Sequence, residues 1–219
     1  MTPLALACLL VAAPFALVNW VGVARADRRL VYVGKPVVLA LFVVAAIALD
    51  PAEVDGTVRA WFVVGLVLSL AGDVFLMLPT ERSYPVEPFL LGLVAFLLGH
   101  VAYIVGQVVD HRSWPLTIVG LIAVAAAGSW LGPRIVSHVK DVDRRMVGPV
   151  LAYIGVISTM VVTAFGRAVV IGIIGALLFF TSDGILAWNR FVKADRRLQI
   201  AVMVTYHLGQ LGLLLSLLG

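Results

Sequence analysis

Residues 61–78 read WFVVGLVLSLAGDVFLML, and this run decides the fold. Its eighteen positions carry a single ionisable group, Asp73. A helix rises about 1.5 Å per residue and needs roughly 20 apolar residues to cross the hydrocarbon core of a bilayer. With Arg59 and Ala60 at its start, the stretch 59–78 has that length and composition. Seven further stretches read the same way: 2–23, 34–49, 89–108, 115–131, 147–166, 168–189 and 200–218. The fold class is therefore all-α, a polytopic membrane protein with eight transmembrane helices. Eight spans in 219 residues leave short connections and no room for a soluble domain, so residues 1–219 read as one integral-membrane domain.

Composition points the same way. Apolar side chains make up 62% of the chain and charged ones 13%, against about 45–50% and about 25% in soluble domains. A mean hydropathy of +1.09 means that apolar surface is not confined to one buried face. These values exclude a soluble enzyme, a disordered segment and a secreted disulfide scaffold; the single Cys8 has no internal partner. Ala24-Arg25-Ala26 resembles a signal-cleavage site. However, no basic residue precedes the first apolar run, which also exceeds the usual h-region of about 7–15 residues. The first helix is expected to be retained.

Thirteen of the sixteen basic residues fall in alternate connections: Arg25, Arg28, Arg29 and Lys35; Arg82; Arg134, Lys140, Arg144 and Arg145; Arg190, Lys193, Arg196 and Arg197. The remaining connections hold only Arg59, Arg112 and Arg167. By the positive-inside rule the first set is cytoplasmic and both termini lie outside. The +4 net charge is topological, with membrane lipids rather than nucleic acid as its partner. A duplication is legible in outline: Arg28-Arg29-Leu30-Val31 and Arg144-Arg145-Met146-Val147 each lead into a Gly/Pro-opened span. Asp73 and Asp183 then occupy the third and seventh spans, and His100 and His207 the fourth and eighth. Halves 1–110 and 111–219 would then be repeats of the same orientation.

An ionisable side chain within a span costs about 2.5–3.5 kcal/mol to insert and is a functional candidate by default. Asp73 lies six residues before Pro79, and Asp183 seven before Arg190, which puts both roughly 10 Å inside the cytoplasmic boundary. Carboxyls sharing a low-dielectric site cannot both ionise readily, so a converging pair would supply one acid and one base. Candidate substrate contacts at similar levels are Asn19, Lys35, His100, Tyr103, Ser182, Asn189, Tyr206, His207 and Gln210. Lys35 would meet a phosphate as a point charge or snorkel to headgroups. No metal is expected, because a catalytic zinc usually takes three protein ligands and only two histidines lie in spans.

The ordered set Gly34-Lys35-Pro36, Gly72-Asp73, Phe89 to Tyr103 with Gly92, Gly99 and His100, Ser182-Asp183 to Phe191, and Tyr206-His207-Leu208-Gly209-Gln210 resembles the YhhN family. This eight-span family includes the mammalian transmembrane protein 86 lysoplasmalogenases. Near the end, His207 and Gly209 stand where the family pattern has a second Tyr and an Ala. The resemblance implies hydrolysis of the vinyl ether bond of lysoplasmalogens to a fatty aldehyde and a glycerophospho-alcohol, with no cofactor. It implies Asp73 and Asp183 as the catalytic acids. The chemistry suits them: proton transfer to the β-carbon gives an oxocarbenium ion, the kind of cation glycosidases handle with two carboxylates. The expected substrate is a lysophospholipid, and the expected location a bacterial inner membrane with the site toward the cytoplasmic half. The alternatives are a transporter or lipid-binding protein, or a hydrolase of another lysolipid. A transporter needs polar lining reached from both faces, whereas the outer half of these spans is almost wholly apolar.

Overall fold

The computed structural model describes residues 1–50, 52, 54–79 and 84–219; Arg82 lies outside them. Among the described residues there are eight α-helices and no strand: α1 (Pro3–Arg25), α2 (Arg28–Ile47), α3 (Gly56–Met77), α4 (Pro88–Val109), α5 (Trp114–Val142), α6 (Val147–Arg167), α7 (Val170–Phe191) and α8 (Arg196–Leu215). All eight are long and apolar enough to cross a membrane. The helix is forced by the solvent, because lipid offers no partner for a bare N–H or C=O. The chain is an integral membrane protein.

Two helices outrun furthest the apolar stretches that mark them. α2 starts at Arg28 rather than 34, because Asp27 accepts from the backbone N–H groups of Arg29 and Leu30 and caps the helix there. Arg28, Arg29 and Lys35 thus sit on helix, not loop. α5 continues through Pro133 to Val142, giving 29 residues, or about 43 Å, well beyond the roughly 30 Å hydrocarbon core. Its last stretch buries Ile135 and Val139 while exposing Arg134, His138 and Lys140, a polar continuation that an apolar-run criterion stops short of. The break after α6 falls at Ala168, in the left-handed conformation at φ 64°, close to the expected Gly166-Arg167 boundary.

One local device recurs. Asp27-Arg28-Arg29, Asp143-Arg144-Arg145 and Asp195-Arg196-Arg197 each place an aspartate whose carboxylate accepts from the N–H of the second arginine, at 2.9, 2.9 and 2.8 Å. Cations at a helix N-terminus oppose the macrodipole, so the exposed arginines there do not serve helix stability.

The chain packs as two compact units, Met1–Gly106 with Leu218, and Gln107–Leu217 with Gly219. In the first, α2 packs against α1 and α3. Glycines set the close approaches: a Cβ on Gly34 would meet the Asn19 backbone nitrogen at 2.7 Å, and one on Gly65 would strike the Tyr103 ring at 2.6 Å. In the second, α5 packs against α6 and α7 against α8. There Gly175 and Gly212 approach so closely that a Cβ on Gly212 would sit 2.7 Å from the Gly175 Cα. Small residues at such crossings are how helices associate without a hydrophobic drive between them. The four-helix duplication remains a proposal resting on sequence spacing.

Candidate functional site

In the first unit, the centre is an ion pair. Lys35 Nζ on α2 lies 2.9 Å from Asp73 Oδ1 on α3, with side-chain exposures of 7% and 1%. One turn before Lys35, the Tyr32 hydroxyl donates to Met77 O at 2.9 Å and ties the same edge of α2 to the end of α3. A buried charge is tolerated only when paired, so Lys35 and Asp73 are mutually required. Lys35 is therefore turned inward to a carboxylate rather than snorkelling outward, and a headgroup would have to compete with Asp73 for its ammonium.

Asn19 is wholly buried on α1, its backbone pressed against Gly34, and neither side-chain polar atom has a hydrogen-bond partner among the described residues. His100 and Tyr103 of α4 are also buried. The Tyr103 ring packs edge-on against Phe62 with centroids 5.3 Å apart, in the notch left by Gly65. Polar groups of four successive helices, α1 to α4, are thus enclosed within this unit. A buried amide lacking partners costs about 1–3 kcal/mol. That is a reason to read Asn19 as kept for something other than stability.

In the second unit the acid is Asp183 on α7. The Tyr153 hydroxyl on α6 donates to its Oδ2 at 2.5 Å. Ser182, beside it, donates to Val202 O of α8 at 3.0 Å. Asn189 Oδ1 accepts from the Asp195 N–H at 2.6 Å and steadies the α7–α8 connection. Two of the sequence candidates thus hold backbone in this structure. Tyr206, His207 and Gln210 are buried on α8, with Tyr206 edge-on to Phe179 at 5.3 Å. The sequence candidates therefore divide: Asn19, Lys35, Asp73, His100 and Tyr103 belong to the first unit, and Ser182, Asp183, Asn189, Tyr206, His207 and Gln210 to the second. Among the described residues, no three His, Cys, Asp or Glu side chains gather as a metal would require.

A second charged cluster escaped the sequence. Arg167, placed there in a connection, is buried; its Nε donates to Asp110 Oδ2 at 2.9 Å and its Nη1 to the backbone oxygen and hydroxyl of Ser216 at 2.7 and 2.8 Å. Arg112 grips both oxygens of Asp110 at 2.9 and 2.7 Å. Desolvation pushes the Asp110 carboxyl up, but hydrogen bonds from Arg112 and Arg167 and their charges outweigh it and hold Asp110 below its ordinary value. All members are satisfied by one another and by main chain, which marks a clamp rather than a reaction centre. Tyr153 was also missed. Its only signal was a phenol in the otherwise apolar run after Pro149, and its partner lies 30 residues away.

The fold and the buried charges define an eight-helix integral membrane protein with an intramembrane acid in each half. The YhhN family model matches residues 30–217, and the chain belongs to the YhhN family. It is similar to human lysoplasmalogenase TMEM86B, 34% identical over 87 residues, or 40% of this chain and 38% of that protein. It is also similar to the rat (Rattus norvegicus) lysoplasmalogenase TMEM86B, 40% identical over 79 residues, or 35% of this chain and 32% of that one. The aligned part spans about a third of the length of these curated relatives. No solved structure matches the chain.

Proposed function

We propose that this protein hydrolyses the vinyl ether bond of a lysoplasmalogen, releasing a fatty aldehyde and a glycerophospho-alcohol. The observation that carries the proposal is the buried Lys35–Asp73 pair in a chain whose curated relatives are named lysoplasmalogenases. Charge kept at membrane depth is costly, and catalysis is a reason to keep it.

We assign the acid's part to Asp183 and the carboxylate's part to Asp73. Asp73 has the Lys35 ammonium as counter-charge, which suits a group that works ionised. The Tyr153 phenol donates to Asp183 Oδ2 and leaves Oδ1 as the oxygen that can carry and give a proton. The acid protonates the β-carbon of the vinyl ether, and positive charge develops on the adjoining carbon and oxygen. Water captures that cation and gives up a proton to a carboxylate, the division of labour that two carboxyls serve in glycosidases. The resulting hemiacetal collapses to aldehyde and alcohol. Asn19, His100, Tyr103, Tyr206, His207 and Gln210 are assigned to water and glycerol hydroxyls. The site is assigned to the cytoplasmic half, with both termini outside, from the distribution of basic residues.

The test is to incubate the purified protein with lysoplasmalogen and with an ordinary ester lysophospholipid, measuring aldehyde and fatty acid. Aldehyde from the first alone is the expected result. Asp73→Asn and Asp183→Asn should each lower aldehyde release by about 100-fold or more; Asp183→Asn should stay monodisperse, and Asp73→Asn should also melt at lower temperature because it strands the Lys35 ammonium. Fatty acid from the ester lipid would make it a hydrolase of another lysolipid, and neither product would return the choice to transport or lipid binding.

A further inference from the structure

Tyr153 has no part in the chemistry assigned above, yet its hydroxyl reaches Asp183 from a neighbouring helix. α6 and α7 pack against each other. Tyr153 lies near the start of α6 and Asp183 near the end of α7, so the antiparallel pair brings them together. The phenol donates to Oδ2 at 2.5 Å. We propose that Tyr153 is a positioning residue that fixes the Asp183 carboxyl and selects which of its oxygens carries the proton. This rests on the reading of Asp183 as the acid.

The reasoning is one of donors and acceptors. A protonated carboxyl has one O–H and one carbonyl oxygen, and a donor hydroxyl can bind the carbonyl oxygen. With the Tyr153 O–H committed to Oδ2, that oxygen is the carbonyl and the proton sits on Oδ1. A carboxyl held at one oxygen also loses rotational freedom about its Cβ–Cγ bond, a torsion that is otherwise broad. Proton delivery to a carbon is demanding in direction, and a misplacement of about 1 Å can cost about 100-fold in rate. Removing the phenol oxygen therefore reduces turnover without removing the acid. Substrate binding is unaffected, since Tyr153 acts through Asp183 rather than on the lipid.

The experiment compares wild type, Tyr153→Phe and Asp183→Asn in two readouts on the same detergent-purified preparations. One is aldehyde release from lysoplasmalogen. The other is the infrared carboxyl band of Asp183, assigned by its loss in Asp183→Asn. Tyr153→Phe should lower kcat by about tenfold to a hundredfold, leave KM within about twofold, and move the Asp183 band to higher frequency as its carbonyl loses a donor. Wild-type kcat in Tyr153→Phe would overturn the inference while leaving the proposed function standing. No aldehyde from wild type would sink the proposed function. The band still decides the contact in that case: a shift supports the positioning, and an unmoved band overturns it. Should Tyr153→Phe aggregate, 3,5-difluorotyrosine at position 153 keeps the ring and changes the acidity of the donor; an unchanged kcat and band there overturn the inference.

Discussion

Lys35 and Asp73 show how much one contact can carry. Removing one partner of a buried ion pair costs about 3–5 kcal/mol, whereas removing both is often nearly neutral. Lys35→Met should therefore lower the thermal midpoint markedly in a melting assay in detergent. Lys35→Met with Asp73→Asn should recover most of the stability and none of the activity. Equal losses in single and double variants would mean the pair is not energetically coupled. Asp110 makes a separate residue-scale prediction. Because its carboxyl is held below its ordinary value, the cluster contributes stability above the ordinary carboxylate range and loses it as pH falls through the lowered value. A melting series from pH 6 to pH 3 should show that acid limb, and Asp110→Asn should flatten it. The same variant leaves Arg167 buried without its carboxylate and should be less stable near neutrality by about 3 kcal/mol.

At the level of helices, ends and crossings matter more than interiors. Ala168 sits at φ 64°, where an L side chain costs about 1–2 kcal/mol and glycine pays no such penalty. Glycine gives back part of that through the freer unfolded chain, so Ala168→Gly should stabilise by about 0.5–1 kcal/mol, seen as a higher melting temperature. Gly34→Ala should do the opposite. Its Cβ would meet Asn19 N, Cα and Cβ at 2.7–2.9 Å, atoms of helix α1 that cannot step aside. The cost of such overpacking is about 1–3 kcal/mol, and both the melting temperature and, through Asn19 and Lys35, the activity should fall. Helix existence was legible in every apolar run. The start of α2 and the end of α5 were not, since a capping Asp27 and a partly buried Ile135–Val139 stripe extend helix into polar sequence.

For the molecule as a whole, the orientation proposed from the arginine-rich connections can be measured directly. A membrane-impermeant thiol reagent should label Val170→Cys on intact cells and label Ser137→Cys only after permeabilisation. Both positions are exposed, and the native Cys8 is buried. The reverse pattern would invert the topology and move the acids to the outer half. Of the candidate site, Asp73 and Asp183 were legible because a carboxylate in an apolar run is conspicuous by its cost. Their partners were not. Lys35 read equally well as a headgroup contact, and nothing set Tyr153 apart as a partner for Asp183.

Eight apolar runs and the uneven spread of Lys and Arg are properties of the chain alone. Lipid leaves a backbone no alternative to the helix, and charge bias needs no tertiary contact to act. Lateral pairing is another matter. In lipid it depends on where small residues let backbones approach, and no period in the sequence records which helix faces which. Only the packed structure could show that Asp73 takes Lys35, that Asp183 takes Tyr153 across 30 residues and that Arg167 takes Asp110 across 57.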